Sequence, residues 1–247
     1  MERPIIIFGI RAIIEAITSG KSIDKIFLQK GLKGDLYEEL RSILKTKTQI
    51  IPSFVPVEKM ERLSSRGNHQ GAVAYISPVV FHNIETLVTS VIASKEVPLF
   101  LLLDRISDVR NFGAIIRTAE CTGVDGIIIQ NKGNAPINGN AIKTSAGAVF
   151  NIPICKVNHI KDAVFLMQSF GIKIVAATEK SHDTLYDMSF KQPLGIIMGS
   201  EDRGISPSIL KVVDYKAKLP LLGDISSLNV SVACGAFLYE ALRQRHL

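Results

Sequence analysis

The chain has 247 residues, 47% hydrophobic and 21% charged. That is enough apolar material for a sizeable core, and it excludes a globally disordered protein. The formal net charge of +6 suits a polyanionic partner, because phosphates attract lysine and arginine over long distances.

No apolar run approaches the roughly 20 residues that span a bilayer. The patch Ile5–Ile10 follows Glu2 and Arg3 and is broken at once by Arg11, which makes a poor secretory signal. A cytoplasmic protein with no membrane association is therefore expected. In chain order, the spacing of apolar residues predicts a helix over Ile10–Thr18, a short strand at Lys25–Leu28, and a helix over Asp35–Thr46 with Leu36, Leu40 and Ile43 on one face. A third helix at Val57–Leu63 and a strand at Ala72–Ser77 complete a small α/β module with lysines scattered through it. Ser77–Pro78 and the mixed segment Val79–Glu96 read as a linker, with room for a short helix.

From Pro98 the pattern changes. Leu99–Leu103, Gly126–Ile129, Ile172–Ala177, Leu194–Met198 and Ala217–Leu219 are short and almost wholly apolar, as strands buried on both faces of a parallel sheet are. Helices are expected near 112–122, 138–146, 160–169, 206–213 and 230–245. Strands alternating with helices predict a mainly parallel α/β domain. The expected organisation is an N-terminal module over 1–78, a linker over 79–97 and a second domain over 98–247.

Several chemistries lack their residues. Cys121, Cys155 and Cys234 are odd in number and far apart, so buried reduced thiols are expected. His69, His82, His159, His182 and His246 show no ligand spacing, and no metal site is expected. Gly20-Lys21-Ser22 resembles the tail of a phosphate loop, but the earlier glycine position holds Glu15 and a helix precedes it. No G-x-G-x-x-G follows a strand, and no G-x-S-x-G is present.

Three segments place polar residues and glycines at strand ends, where α/β enzymes build their sites. Asp104–Thr118 follows the first strand of the domain; Asn111 is a candidate helix cap and Gly113 a point of close backbone approach. Arg117 lies in the same helix, where an arginine snorkelling from an apolar face would explain it equally well. Met198–Gly204 is a glycine-flanked acidic turn leading to Pro207. Leu219–Ala233 is a loop rich in Gly, Asp and Ser, including Gly223, Ser226 and Ser227, that delivers Asn229 to the last helix. Capping by Asn229 accounts for part of this pattern, and a helix N-terminus also suits a polar or anionic ligand.

Together these segments resemble the signature motifs of the SpoU (TrmH-like) RNA ribose 2′-O-methyltransferases of the SPOUT superfamily. The matching pieces are N-x-G-A-I-x-R-T-A at 111–119, G-S-E-x-x-G at 199–204 and S-L-N-V-S-V-A at 227–233, in the family's order. Phe8–Gly9 before a helix and His69–Gln70–Gly71 before a strand resemble the ribosomal-protein-like substrate-binding domain of the RlmB branch, which methylates a guanosine ribose of large-subunit (23S) ribosomal RNA. The resemblance implies a trefoil knot in the C-terminal domain, with helices on both faces of the sheet, and S-adenosyl-L-methionine as cofactor. It implies cofactor contacts at Thr178, Gly199, Leu219 and Leu228, and a catalytic set of Arg117, Asn111, Glu201, Ser227 and Asn229. Glu201 is expected to fix Arg117 or the loop, and Asn111 and Asn229 to hold backbone or substrate. It also implies a homodimer whose interface includes the last helix, where Val232, Ala236, Phe237, Tyr239 and Leu242 serve either core or interface. The end Arg243–Gln244–Arg245 reads equally well as a solvated cationic terminus. Two other readings stay open: the same chemistry on a transfer RNA guanosine, and a non-catalytic RNA-binding or ribosome-assembly protein.

Overall fold

The computed structural model describes residues 5–18, 20–47, 50–64, 66–77, 79–224 and 227–246. Glu2, Arg3, Pro78 and Ser226, singled out above, lie outside the described residues. The chain divides into two compact units, residues 1–80 with 136–139, and residues 81–135 with 140–247.

The first unit contains β1 (Ile5–Phe8), α1 (Ile10–Thr18), β2 (Ile23–Gln29), α2 (Asp35–Lys47), β3 (Ser53–Val55), α3 (Val57–Leu63) and β4 (Ala72–Ile76). Its sheet runs β1-β4-β2-β3. β4 is antiparallel to both neighbours, and β3 is parallel to β2. The helical spacing in α1 buries Ile10, Ile13 and Ile17 in one cluster with Leu40 and Leu44 of α2 and Ile26 and Leu28 of β2. β1 and β3 escape the sequence pattern for different reasons. β1 sits inside an unbroken apolar patch with no alternation, and β3 is three residues long, too short to show a period.

The second unit continues with β5 (Phe81–His82), α4 (Ile84–Ser94), β6 (Leu99–Asp104), α5 (Val109–Cys121), β7 (Gly126–Gln130), α6 (Gly139–Thr144), β8 (Ile154–Val157) and α7 (Ile160–Ser169). β9 (Lys173–Ala177), β10 (Leu194–Gly199), α8 (Pro207–Leu210), β11 (Tyr215–Ala217) and α9 (Val230–His246) complete it. Its seven strands run β11-β9-β10-β6-β7-β8-β5, every pairing parallel. Residues 79–97, expected as a linker, carry β5 and α4. Asn83 caps α4 by accepting from the Thr86 N–H at 3.0 Å, and Ile84 and Val88 enter the core of this unit.

Strand alternation divides the core into two layers. Phe100 and Leu102 of β6 face a cluster that includes Val88 of α4, Val164 and Met167 of α7 and Ile209 of α8. Leu99, Leu101 and Leu103 point the other way and are equally buried, on the side where α5 packs against α9 and α9 against β10. Each fully buried Leu or Phe contributes roughly 1.5–3 kcal/mol, so covering both faces accounts for the nearly continuous apolar strands.

Three local differences from the sequence expectation matter. β8 was not foreseen because Lys156 interrupts its apolar run; Lys156 is buried with its ammonium 4.2 Å from the Phe81 ring centroid, a cation–π contact. α8 is four residues rather than eight. β11 lies two residues earlier than expected, pairing 215–217 with 175–177, which leaves Leu219 beyond the strand in the loop.

Cys155 and Cys234 are buried, their thiols pushed up to about 12 by burial, whereas Cys121 is exposed, a correction to the expectation of three buried thiols. Arg245 is not a solvated end. It donates to the carbonyls of Phe190, Val97, Pro98 and Gln192 at 2.8, 3.0, 3.3 and 2.9 Å. Among the described residues no helix is long and apolar enough to cross a membrane.

Candidate functional site

The strand order reverses between β6 and β10: β7 and β8 lie on one side of β6, β10, β9 and β11 on the other. In open parallel sheets the crevice beyond the carboxyl ends of the strands at such a point is the usual ligand site. Here Asp104, the last residue of β6, stands opposite Gly199, the last of β10.

Beyond the end of β10 lies a cleft of about 540 Å³ walled by residues 177–180, 198–204, 218–219, 221, 227–230, 233 and 237. The turn after β10 closes with the Gly204 N–H donating to the Ser200 carbonyl at 2.8 Å. A side chain on Gly199 would overlap the Gly204 carbonyl carbon and the Ile205 nitrogen, so this wall is bare backbone. Thr178 is buried just past β9, its N–H bonded to the Ala217 carbonyl at 2.9 Å. Leu219 and Leu228 add apolar surface to the lining. Glu179, Glu201 and Asp202 face the same space as Lys180, Arg203 and Lys218, so the cleft carries both signs of charge beside apolar walls.

Asn229 caps α9. Its Oδ1 accepts from the N–H groups of Ser231 and Val232 at 3.0 and 3.3 Å and from the Ser231 hydroxyl at 2.6 Å. Its Nδ2 donates to Glu201 Oε1 at 2.8 Å and to Asn111 Oδ1 at 3.0 Å. Glu201 also accepts from the Val230 N–H at 3.3 Å, placing a carboxylate at a helix N-terminus where the dipole favours it. One asparagine thus ties together the three segments picked out from the sequence.

Asn111 does not cap α5. Asp108 does, accepting from the Asn111 N–H at 2.8 Å, which frees the Asn111 side chain to meet Asn229. Gly113 meets its expected close approach: a methyl there would stand 2.6 Å from the Thr144 Cβ. Of the two partners expected for Glu201, its bonds go to the loop and α9 rather than to Arg117. Arg117 is exposed on α5, outside the residues lining the cleft, and its side chain makes no hydrogen bond or ion pair among the described residues. Thr178, Gly199, Glu201, Leu219, Ser227, Leu228 and Asn229 therefore line one cleft, Asn111 joins it through Asn229, and Arg117 stands apart.

Sequence reasoning missed Lys180, Lys218 and Leu221, which lie outside any motif. It also missed the clamp made by Asp104, fully buried, which accepts from the Ser206 N–H at 2.7 Å and the Ser206 hydroxyl at 2.6 Å. An aspartate ending an otherwise apolar strand was the available signal.

Residues 98–239 match the SpoU rRNA methylase family. The chain belongs to that family. Residues 6–81 of this SpoU family member match the RNA 2′-O ribose methyltransferase substrate-binding domain. A Staphylococcus saprophyticus protein assigned to the TrmH family of tRNA/rRNA methyltransferases is 36% identical over 98% of this chain and 96% of its own length. The SpoU methyltransferase AviRb from Streptomyces viridochromogenes, solved with its cofactor AdoMet, superimposes with a TM-score of 0.61 at 26% identity, over 97% of this chain and 89% of that one. The A. aeolicus TrmH/SpoU tRNA-modifying enzyme covers 65% of this chain and 83% of its own, at 29% identity and a TM-score of 0.55.

Proposed function

We propose that this RNA 2′-O-methyltransferase uses S-adenosyl-L-methionine to methylate a guanosine ribose of large-subunit ribosomal RNA. The observation that carries the reading is the cleft: Asn229, Glu201 and Asn111 are bonded into one unit at the mouth of a pocket that pairs apolar walls with both signs of charge. Such a lining fits a cofactor that joins an adenine to an amino acid and a sulfonium. Apolar surface at Leu219, Leu221 and Leu228 suits the adenine faces, Lys180 or Lys218 a carboxylate, and Glu179 or Asp202 a cation. When bound, that cofactor supplies an already activated methyl group.

The protein's own task is to orient a ribose hydroxyl in line and to ease loss of its proton. The Asn229 amide is fully engaged by protein, so its role is to hold the α9 terminus and the 199–204 turn in register. The Nδ2 of Asn111 retains its donors for the ribose, and Ser227 offers a hydroxyl from the same rim. Arg117 is a poor base, because its guanidinium stays protonated far above neutral pH; it acts by orienting the substrate electrostatically.

Its position outside its own cleft favours a homodimer. Val232 and Tyr239 lie seven residues apart on one face of α9 and are 58% and 55% exposed, and α9 packs beside α5. Pairing two copies through this face brings Arg117 of one chain toward the site of the other. We also read the 219–229 loop and α9 as the threaded end of a trefoil knot, a reading supported by the bonds that bind this loop to the 199–204 turn.

Ribosomal RNA is favoured over transfer RNA because residues 6–81 match a substrate-binding domain in addition to the methylase match, whereas the tRNA-modifying enzyme covers 65% of this chain. Residues 1–80 carry 12 lysines and arginines against 8 aspartates and glutamates, four of the chain's six net charges, as a grip on RNA requires. The test is transfer of labelled methyl from S-adenosylmethionine to protein-free RNA. Large-subunit ribosomal RNA should be labelled and total transfer RNA should not; the reverse result would move the substrate to transfer RNA, and no labelling of either would favour a binding protein.

A further inference from the structure

Arg105 follows the last residue of β6 with a left-handed backbone, φ +62°, a conformation that glycine adopts freely and other residues resist. Its alkyl stem lies against Gly133, in the loop after β7, where a methyl group would meet the Arg105 Cγ at 3.1 Å. The Nε donates to Asp104 at 3.2 Å and a terminal nitrogen does so at 3.5 Å. These are the longer bonds to that carboxylate, since Ser206 already donates its N–H and hydroxyl to Asp104 at 2.7 and 2.6 Å. Asp104 therefore keeps its strongest partners without Arg105.

A guanidinium has five N–H donors. Two face Asp104, which leaves three on a side chain that is 32% exposed; Lys132, exposed and next in sequence to Gly133, adds a second cation to the same loop. Structural need alone does not explain an arginine at a position that strains its backbone. A phosphate does: the planar fork matches two phosphate oxygens, and Asp104 and Gly133 hold the stem in place before the ligand arrives. The register Asp104 opposite Gly199 sets this corner next to the cofactor cleft. Any RNA that presents a ribose there carries phosphates on either side of it.

We infer that Arg105, with Lys132, binds a backbone phosphate of the substrate RNA at the carboxyl ends of β6 and β7, an inference that rests on the RNA-methyltransferase reading. Two variants separate this role from a structural one. Arg105→Gly removes the guanidinium and relieves the backbone; Arg105→Lys keeps the charge without the fork. RNA binding is measured at equilibrium with protein-free large-subunit ribosomal RNA over a salt series, alongside cofactor Kd, Tm and steady-state kinetics.

Arg105→Gly is expected to weaken RNA binding about tenfold and to reduce the slope of log affinity against log salt by about one. KM for RNA should rise more than kcat falls, the cofactor Kd should stay unchanged, and Tm should hold or increase. Arg105→Lys should retain the salt slope. An Arg105→Gly protein that binds RNA as the wild type does would overturn the inference. So would one whose RNA affinity falls only in step with its Tm and cofactor affinity. Binding is read without turnover, so a wild-type protein that binds RNA and shows the Arg105 effect but transfers no methyl would refute the methyltransferase reading alone.

Discussion

Asn229 commits its whole amide to the protein: the oxygen to three donors at the start of α9, the nitrogen to Glu201 and Asn111. A side chain so engaged sets geometry for its neighbours, and the carboxylate that fixes it is the point of leverage. Replacing Glu201 by Ala removes a charge-assisted bond and leaves both Asn229 and the Val230 N–H to water. The cofactor Kd is expected to rise and turnover to fall, each about tenfold; calorimetry and single-turnover kinetics measure them, and values equal to the wild type would remove Glu201 from the site. At this scale the sequence named the residues better than their partners. Asp108 and Asn111 are both competent caps three residues apart, and nothing in a linear pattern tells which side chain turns toward the helix and which toward α9. Lys180 and Lys218 were illegible because only the folding of two strand ends brings them together.

The last helix shows how an element can be read correctly in extent and wrongly in its end. α9 spans Val230–His246, close to the expected 230–245, yet Arg245 in its basic last turn is structural. Arg245 satisfies four carbonyls near the start of β6 and before β10, and burial lowers its pKa. Arg245→Ala should destabilise the protein by about 2–3 kcal/mol, since several acceptors lose a charged donor at once. A denaturant titration reads this, and a loss under about 0.5 kcal/mol, the range of an ordinary surface change, would show the terminus to be solvated after all. Elements with uniform apolar runs, such as β6, β7 and β10, were legible from sequence. Those diluted by one charge, as β8 is by Lys156, or too short to show a period, as β3 is, were not.

For the whole molecule, the parallel sheet and its two helical layers follow from alternation of strand and helix, while the proposed pairing of copies does not, because an exposed apolar residue on a helix looks the same in sequence as a buried one. Val232 is the sharpest probe of that pairing. The wild type should sediment as a dimer, and Val232→Lys should sediment as a monomer that still binds the cofactor but turns over little. A monomeric wild type, or a Val232→Lys dimer, would contradict an interface through α9.

The central claim is that the chemistry occurs at a ribose hydroxyl. The direct measurement is methyl transfer from labelled S-adenosylmethionine to an RNA fragment spanning the modified nucleotide, compared with the same fragment carrying a 2′-deoxy sugar at that single position. The intact RNA should be labelled and the deoxy RNA should not. Equal labelling of both would place the methyl elsewhere and contradict the account.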